Sequence, residues 1–230
     1  MKQETKLPVS AKDARIFAKT VLAREMSCDV KDIRFIGGGS FGYVYSAAID
    51  KAPYTVIMKG FRCEGMCLRE ARELRLLARD SAVKVPEVYF TFAATKELPM
   101  DFLCMEKVDG TNCFTDFGKL LCSKREKERF ADEVTTAVHH WHTQTGGRFG
   151  LIGSAVYDTW LDFYRTFAAE ILEEARRMAS ARRLGRRALR AMENGWTHFD
   201  AIFSEPVEKA CLIHGDLNVM NIMSDKKLRM

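Results

Sequence analysis

The 230 residues carry 47% hydrophobic and 29% charged side chains, an ordinary globular balance that excludes a wholly disordered chain. Basic residues exceed acidic ones by 36 to 31, a net charge of +5, too slight an excess to argue for nucleic acid. No apolar run approaches the roughly 18 residues of a membrane span, and MKQETKLPVSAKDARIF at the N-terminus puts charges where a signal peptide needs its apolar core, so a soluble, cytoplasmic protein is expected.

Ser10 to Met26 reads as an amphipathic helix: Ser10 and Asp13 resemble a capping box, and Ala14, Phe17, Ala18, Val21 and Leu22 form one face. Asp32 to Tyr45 predicts two strands joined by glycines, and Tyr54 to Lys59 a third. A helix is expected over Met66 to Asp80, then two short strands over Val88 to Ala93 and Asp101 to Glu106. Beyond Glu106 the character changes. Lys124 to His142 is helical by period, and Tyr157 to Met192 is a long helical stretch with a break at Gly185. The terminal segment predicts a short apolar strand (Ala210 to Ile213), a polar loop, and a further strand beginning at Lys226 to Met230. A β-rich front and a helical back fit an α+β protein of two lobes. The boundary is expected near the Asp109-Gly110 turn signal, giving residues 1–106 and 107–230.

Gly37-Gly38-Gly39-Ser40-Phe41-Gly42-Tyr43-Val44 satisfies G-x-G-x-x-G-x-V. Alone it reads equally well as a glycine-rich hairpin turn. A dinucleotide fingerprint requires a helix after the last glycine, and a Walker A loop requires Lys then Ser or Thr; Tyr43-Val44-Tyr45 meets neither. What remains is strand, loop, strand, in which glycines let backbone N–H groups approach phosphate oxygens.

Lys59 closes the next strand, where a lysine is ordinarily just solvated. In the following helix Cys67, Ala71, Leu74 and Ala78 share a face, with Glu70 about 60° from its centre and Glu73 turned towards solvent. A carboxylate at the edge of a buried face wants a partner, and Lys59 is the natural one. After Ala210 to Ile213 comes His214-Gly215-Asp216-Leu217-Asn218-Val219-Met220-Asn221. There Asp216 can accept a hydroxyl proton and Asn221 can offer Mg²⁺ an amide oxygen; a plain Asx-turn loop is the competing reading.

Taken together these pieces resemble a kinase set: the glycine loop, Val56-Ile57-Met58-Lys59 for V-A-I-K, Glu70 for the helix glutamate, and His214 to Asn221 for H-x-D-x-x-x-x-N. The His-Gly-Asp-Leu-Asn and Asn-Ile-Met wording resembles the aminoglycoside phosphotransferase and choline kinase group, kinases of small-molecule hydroxyls with a protein-kinase-like fold. The resemblance implies an N-lobe antiparallel sheet with one helix and a mainly helical, incomplete C-lobe. It implies ATP held by Gly37, Gly39, Ser40, Phe41, Gly42 and Val44, by Lys59 oriented by Glu70, and by the hinge Met105-Glu106-Lys107-Val108 through the Glu106 carbonyl and the Val108 N–H. Asp216 would be the catalytic base and Asn221 a Mg²⁺ ligand. The acceptor would be an aminoglycoside-, amino alcohol- or sugar-like hydroxyl.

The family's second metal-binding aspartate has no counterpart before Met230, and Asp225 follows Asn221 too closely to replace it. A chain shortened at its C-terminus is therefore expected, its end inviting self-association through exposed apolar surface. That same departure leaves open a non-catalytic nucleotide-binding or scaffold module. A protein kinase is disfavoured by the His-Gly-Asp wording. The seven arginines between Arg176 and Arg190 read as a solvated helix face. His139, His140 and His142 read as structural histidines, and the seven cysteines, without a C-x-x-C pair, as reduced thiols.

Overall fold

The computed structural model describes residues 9–39, 41–79, 83–113, 116–143 and 146–230. They form an α+β structure of two compact units, one comprising the described residues of 9–143 with 213–230 and the other residues 146–212.

The first unit is built on a five-stranded antiparallel sheet of order β1-β2-β3-β5-β4. Its strands are β1 (Val30–Gly38), β2 (Gly42–Ile49), β3 (Thr55–Phe61), β4 (Val88–Phe92) and β5 (Asp101–Glu106). Alternation of side chains across the pleat gives the sheet two apolar faces. Tyr45, Val56, Met58, Phe102 and Cys104 pack with Ala14, Ala18, Val21 and Leu22 of α1 (Ala11–Met26). Phe61 and Leu103 pack on the opposite face with Cys67 and Ala71 of α2 (Met66–Leu77).

The helix ends follow from local chemistry. Ser10 Oγ accepts the Asp13 N–H at 3.1 Å and donates to the Asp13 carboxylate at 2.6 Å, so Ser10 caps α1 as expected, with Asp13 bonded to the Ser10 hydroxyl rather than to its backbone N–H as a capping box would have it. At its other end Ser27 turns left-handed at φ 47°. α2 ends at Leu77, three residues short of the expected Asp80, which itself lies outside the described residues. Leu77 rather than Ala78 therefore completes its buried face.

After β5 the chain forms β6 (Thr111–Asn112), a short 3-10 helix (Phe117–Leu121) and α3 (Lys124–Thr143), whose Trp141 indole donates to the Leu77 carbonyl at 3.3 Å. β7 (Met223–Ser224) returns to pair antiparallel with β6, Ser224 opposite Thr111. Gly110 is required beside this pair: its φ is +111°, and a Cβ there would lie 2.8 Å from the Ser224 carbonyl oxygen.

Two expectations for the terminal segment are corrected. Residues 210–213 form no strand among the described residues; Cys211 is exposed and Ile213 is 58% exposed. An apolar run is buried only where neighbouring elements cover its side chains; here the Ala210 carbonyl accepts the Gly146 N–H at 3.1 Å, but the Cys211 and Ile213 side chains stay open. Lys226 to Met230 is likewise no strand. Asp225 closes a turn there, its Oδ1 accepting the N–H groups of Lys227 and Arg229 at 2.8 and 2.9 Å. These bonds, led by the Arg229 N–H, pull the Asp225 carboxyl down to about 2.

The second unit holds α4 (Trp160–Ser180), α5 (Arg186–Thr197) and the single turn α6 (Phe199–Ile202). The expected break at Gly185 is present: the stretch divides at residues 181–185, where Arg182 is left-handed at φ 58° and Gly185 caps α5. Thr159 starts α4 three residues later than Tyr157, by accepting the Asp162 N–H at 3.1 Å. Trp160, Tyr164, Phe199 and Phe203 form an aromatic cluster. Arg176 pairs with Glu173 and Glu193, and Arg177 with Glu174, on solvated helix faces.

Candidate active site

The glycine loop is the β1–β2 hairpin. Gly38 pairs with Tyr43, and the Gly39 N–H closes on the Gly42 carbonyl at 3.0 Å. Ser40 lies outside the described residues, and Phe41 beside it is 59% exposed. The glycines have different causes. A Cβ at Gly42 would lie 2.0 Å from the Gly60 carbonyl oxygen, so close packing of β2 on β3 alone demands glycine there. A Cβ at Gly37 or Gly39 would meet nothing within 4 Å, and neither residue has a positive φ. Protein packing thus does not account for those two.

Val44 stands opposite Lys59 in the β2–β3 ladder, which puts both on the α2 face of the sheet. From there Lys59 Nζ reaches both carboxylate oxygens of Glu70, at 2.8 and 2.7 Å. The two side chains are 27% and 26% exposed, so the pair is partly desolvated and partly open. Lys59 Nζ also lies 5.3 Å from the centre of the Phe61 ring. Glu73 lies further towards solvent than Glu70, as the periodicity predicts, its side chain 38% exposed against 26%; it sits beside Arg69, and partial burial raises its pKa.

Glu106 ends β5, and Val108 follows in irregular chain. The Glu106 carboxylate pairs with Lys84 at 2.7 Å and accepts the Glu87 N–H at 3.1 Å; the Lys84 bond holds its pKa below the usual value. That side chain is occupied in fastening the approach to β4.

In the 214–221 loop, Gly215 has φ +79° and turns the chain so that Asp216 is exposed. The Asp216 carboxylate accepts two amides, Asn218 Nδ2 at 2.8 Å on Oδ1 and Asn221 Nδ2 at 3.0 Å on Oδ2. Asn221 Nδ2 also donates to the Asp216 carbonyl at 2.7 Å. The Asx turn of the loop is at Asn218, whose Oδ1 accepts the Met220 N–H, while the Asn218 and Asn221 amides orient the Asp216 carboxylate. No hydrogen bond or ion pair among the described residues joins Asp216 or Asn221 to Lys59 or Glu70.

Two contributors escape sequence reasoning. Asn218 fixes Asp216 and also accepts the Met220 N–H at 2.9 Å; its spacing of two from an aspartate was the available signal. Lys119, 3% exposed, donates to the Ser224 carbonyl at 2.8 Å, to Ser224 Oγ at 2.9 Å and to the Thr111 carbonyl, locking β6 to β7 immediately after the loop. Nothing in Phe117-Gly118-Lys119-Leu120-Leu121 announces a buried lysine.

The sequence matches the model of the APH phosphotransferase enzyme family over residues 32–230. The chain belongs to the phosphotransferase enzyme family. The match starts within β1, so α1 lies outside it. A comparison with curated proteins gives no match. Sixty chains of solved structures match. One is a spectinomycin phosphotransferase in complex with ADP and spectinomycin, 16% identical, with a TM-score of 0.46. The match covers 95% of this phosphotransferase-family chain and 66% of that one.

Among the described residues no group of three or more His, Cys, Asp or Glu side chains is placed to hold a metal. The donor set that fits Mg²⁺ is of a different kind. Asn221 uses its amide nitrogen on Asp216, and among the described residues its carbonyl oxygen, a hard donor, takes no hydrogen bond beside that carboxylate. Mg²⁺ takes few protein ligands and completes its shell with water and phosphate oxygens.

Proposed function

We propose that the protein transfers the γ-phosphoryl group of ATP to a hydroxyl of a small molecule, with residues 1–106 supplying the nucleotide side and 107–230 the catalytic loop. The observation that carries this reading is the two-oxygen Lys59–Glu70 pair on the sheet face that Val44 of the glycine loop shares. A lysine held at both carboxylate oxygens keeps a fixed charge for phosphate oxygens without folding back on its own strand. Open space over Gly37 and Gly39 supports the loop as a phosphate cover. The Glu106 carbonyl and the Val108 N–H are the groups proposed for adenine.

The acceptor hydroxyl oxygen attacks the γ-phosphorus. Its O–H proton passes to the Asp216 carboxylate, the new O–P bond forms, and the bond from the γ-phosphorus to the bridging oxygen breaks to release ADP. Two amide donors hold the Asp216 carboxylate in one orientation for that transfer. Asn221 would hold Mg²⁺, which when bound neutralises charge on the β- and γ-phosphate oxygens.

The test is a screen of aminoglycoside, amino alcohol and sugar acceptors with ATP labelled in its γ-phosphate, run on the protein and on Asp216→Ala. The expected result is a labelled acceptor, with ATP binding kept and turnover lowered about 10²–10⁴-fold by the substitution. Turnover surviving near its normal rate would remove Asp216 as the base. ATP binding with no labelled acceptor would instead favour a nucleotide-binding module.

A further inference from the structure

We propose that Asp101 is a positioning residue: by anchoring the N-terminus of α2 to the sheet, it sets where Glu70 meets Lys59. This rests on the reading of that pair as a nucleotide grip.

Asp101 is a carboxylate 2% exposed, at the start of β5 and opposite Phe61 of β3. Burying such a group is costly unless its oxygens are occupied, and each is. Oδ2 accepts the Gly65 N–H at 2.6 Å and the Cys67 thiol at 3.5 Å; Oδ1 accepts the Ala94 N–H at 2.8 Å. Burial, with Asp101 close by, pushes the Cys67 thiol up to about 12, so it stays a protonated donor.

The helix that receives this carboxylate lacks a cap of its own. Gly65 at its N-cap makes no side-chain bond, and its first turn holds no acidic residue. Unsatisfied N–H groups and the positive end of the helix dipole both call for an anion there. Here the anion comes from β5, the strand beside the one that carries Lys59. Glu70 follows Gly65 by little more than one helical turn. Asp101 thus joins the two elements whose separation the Lys59–Glu70 pair depends on. Its hold on Ala94 also fixes the chain leaving β4.

A general stabilising role and a positioning role differ in coupling. The experiment is a double-mutant cycle on ATP affinity, by calorimetry with Mg²⁺, using Asp101→Asn, Glu70→Gln and the double variant. Asparagine keeps the shape but turns a donor towards one of the two N–H groups. Each single substitution is expected to weaken ATP binding about tenfold, and the double variant to bind within about twofold of Glu70→Gln alone. Full additivity, or unchanged affinity in Asp101→Asn, would overturn the proposal. If Glu70→Gln itself leaves ATP affinity intact, the nucleotide-grip reading fails and the proposal with it.

Should Asp101→Asn not fold, hydrogen exchange on the unsubstituted chain decides. Because coupling is reciprocal, ATP is expected to raise the protection of the Gly65 and Ala94 amides, and to do so far less in Lys59→Ala. No change at those two amides on ATP binding would overturn it.

Discussion

At the scale of single residues, the 214–221 loop contains a proton-sensitive contact. The His214 ring is half-buried 5.8 Å from the Trp141 ring, and its Nδ1 accepts the Asp216 N–H at 3.3 Å. Accepting at Nδ1 requires the neutral ring. Burial lowers the His214 pKa below 6.5, against the opposing pull of Asp216. Between that lowered value and 6.5 the unfolded chain binds more protons than the folded one, so stability rises with pH through this window. The contribution is fully present above 6.5 and is lost as the pH falls through the folded value. The melting temperature is therefore expected to drop between about pH 7 and about pH 5, and His214→Asn to flatten that part of the drop. Equal slopes in the two proteins would contradict the assignment. The His-Gly-Asp wording is plain in the sequence, but this contact is not, because Trp141 lies on α3, remote along the chain.

At the scale of elements, the glycine hairpin separates glycines required by packing from those proposed to clear a phosphate. Gly42→Ala drives a Cβ into the Gly60 carbonyl and must push β2 away from β3. The expected loss is about 1–3 kcal/mol, read by denaturant unfolding. Gly39→Ala meets no atom within 4 Å; its stability is expected to stay within about 0.5 kcal/mol, while ATP affinity falls several-fold. Equal effects of the two on stability would refute the distinction. Here the sequence was informative, because a hairpin, a strand and a helix in succession each carry a local period. The Lys59–Glu70 meeting followed from those periods and from one strand-to-helix connection. Asp101 and Lys119 did not, since a buried charge is revealed by the partners that surround it and theirs come from distant segments. Ala210 to Ile213 misled for the converse reason: apolarity was legible and the exposure of Cys211 and Ile213 was not.

At the scale of the whole molecule, the unit that carries the glycine loop, Lys59 and Glu70 also carries the 214–221 loop. The chain is continuous from β5 through β6, and β6 is tied to β7 at the end of that loop by the ladder and by Lys119. The same unit therefore holds both halves of the proposed chemistry, and family membership over residues 32–230 spans both. α1, outside the family match, closes the face of the sheet opposite Lys59. The most direct measurement is a calorimetric titration of ATP with Mg²⁺ into the protein and into Lys59→Ala, with a thermal melt of each sample. Saturable binding that the substitution weakens by at least about tenfold is the predicted result. A cooperatively melting chain that ignores ATP, or one that binds it equally well after Lys59→Ala, would contradict the nucleotide site.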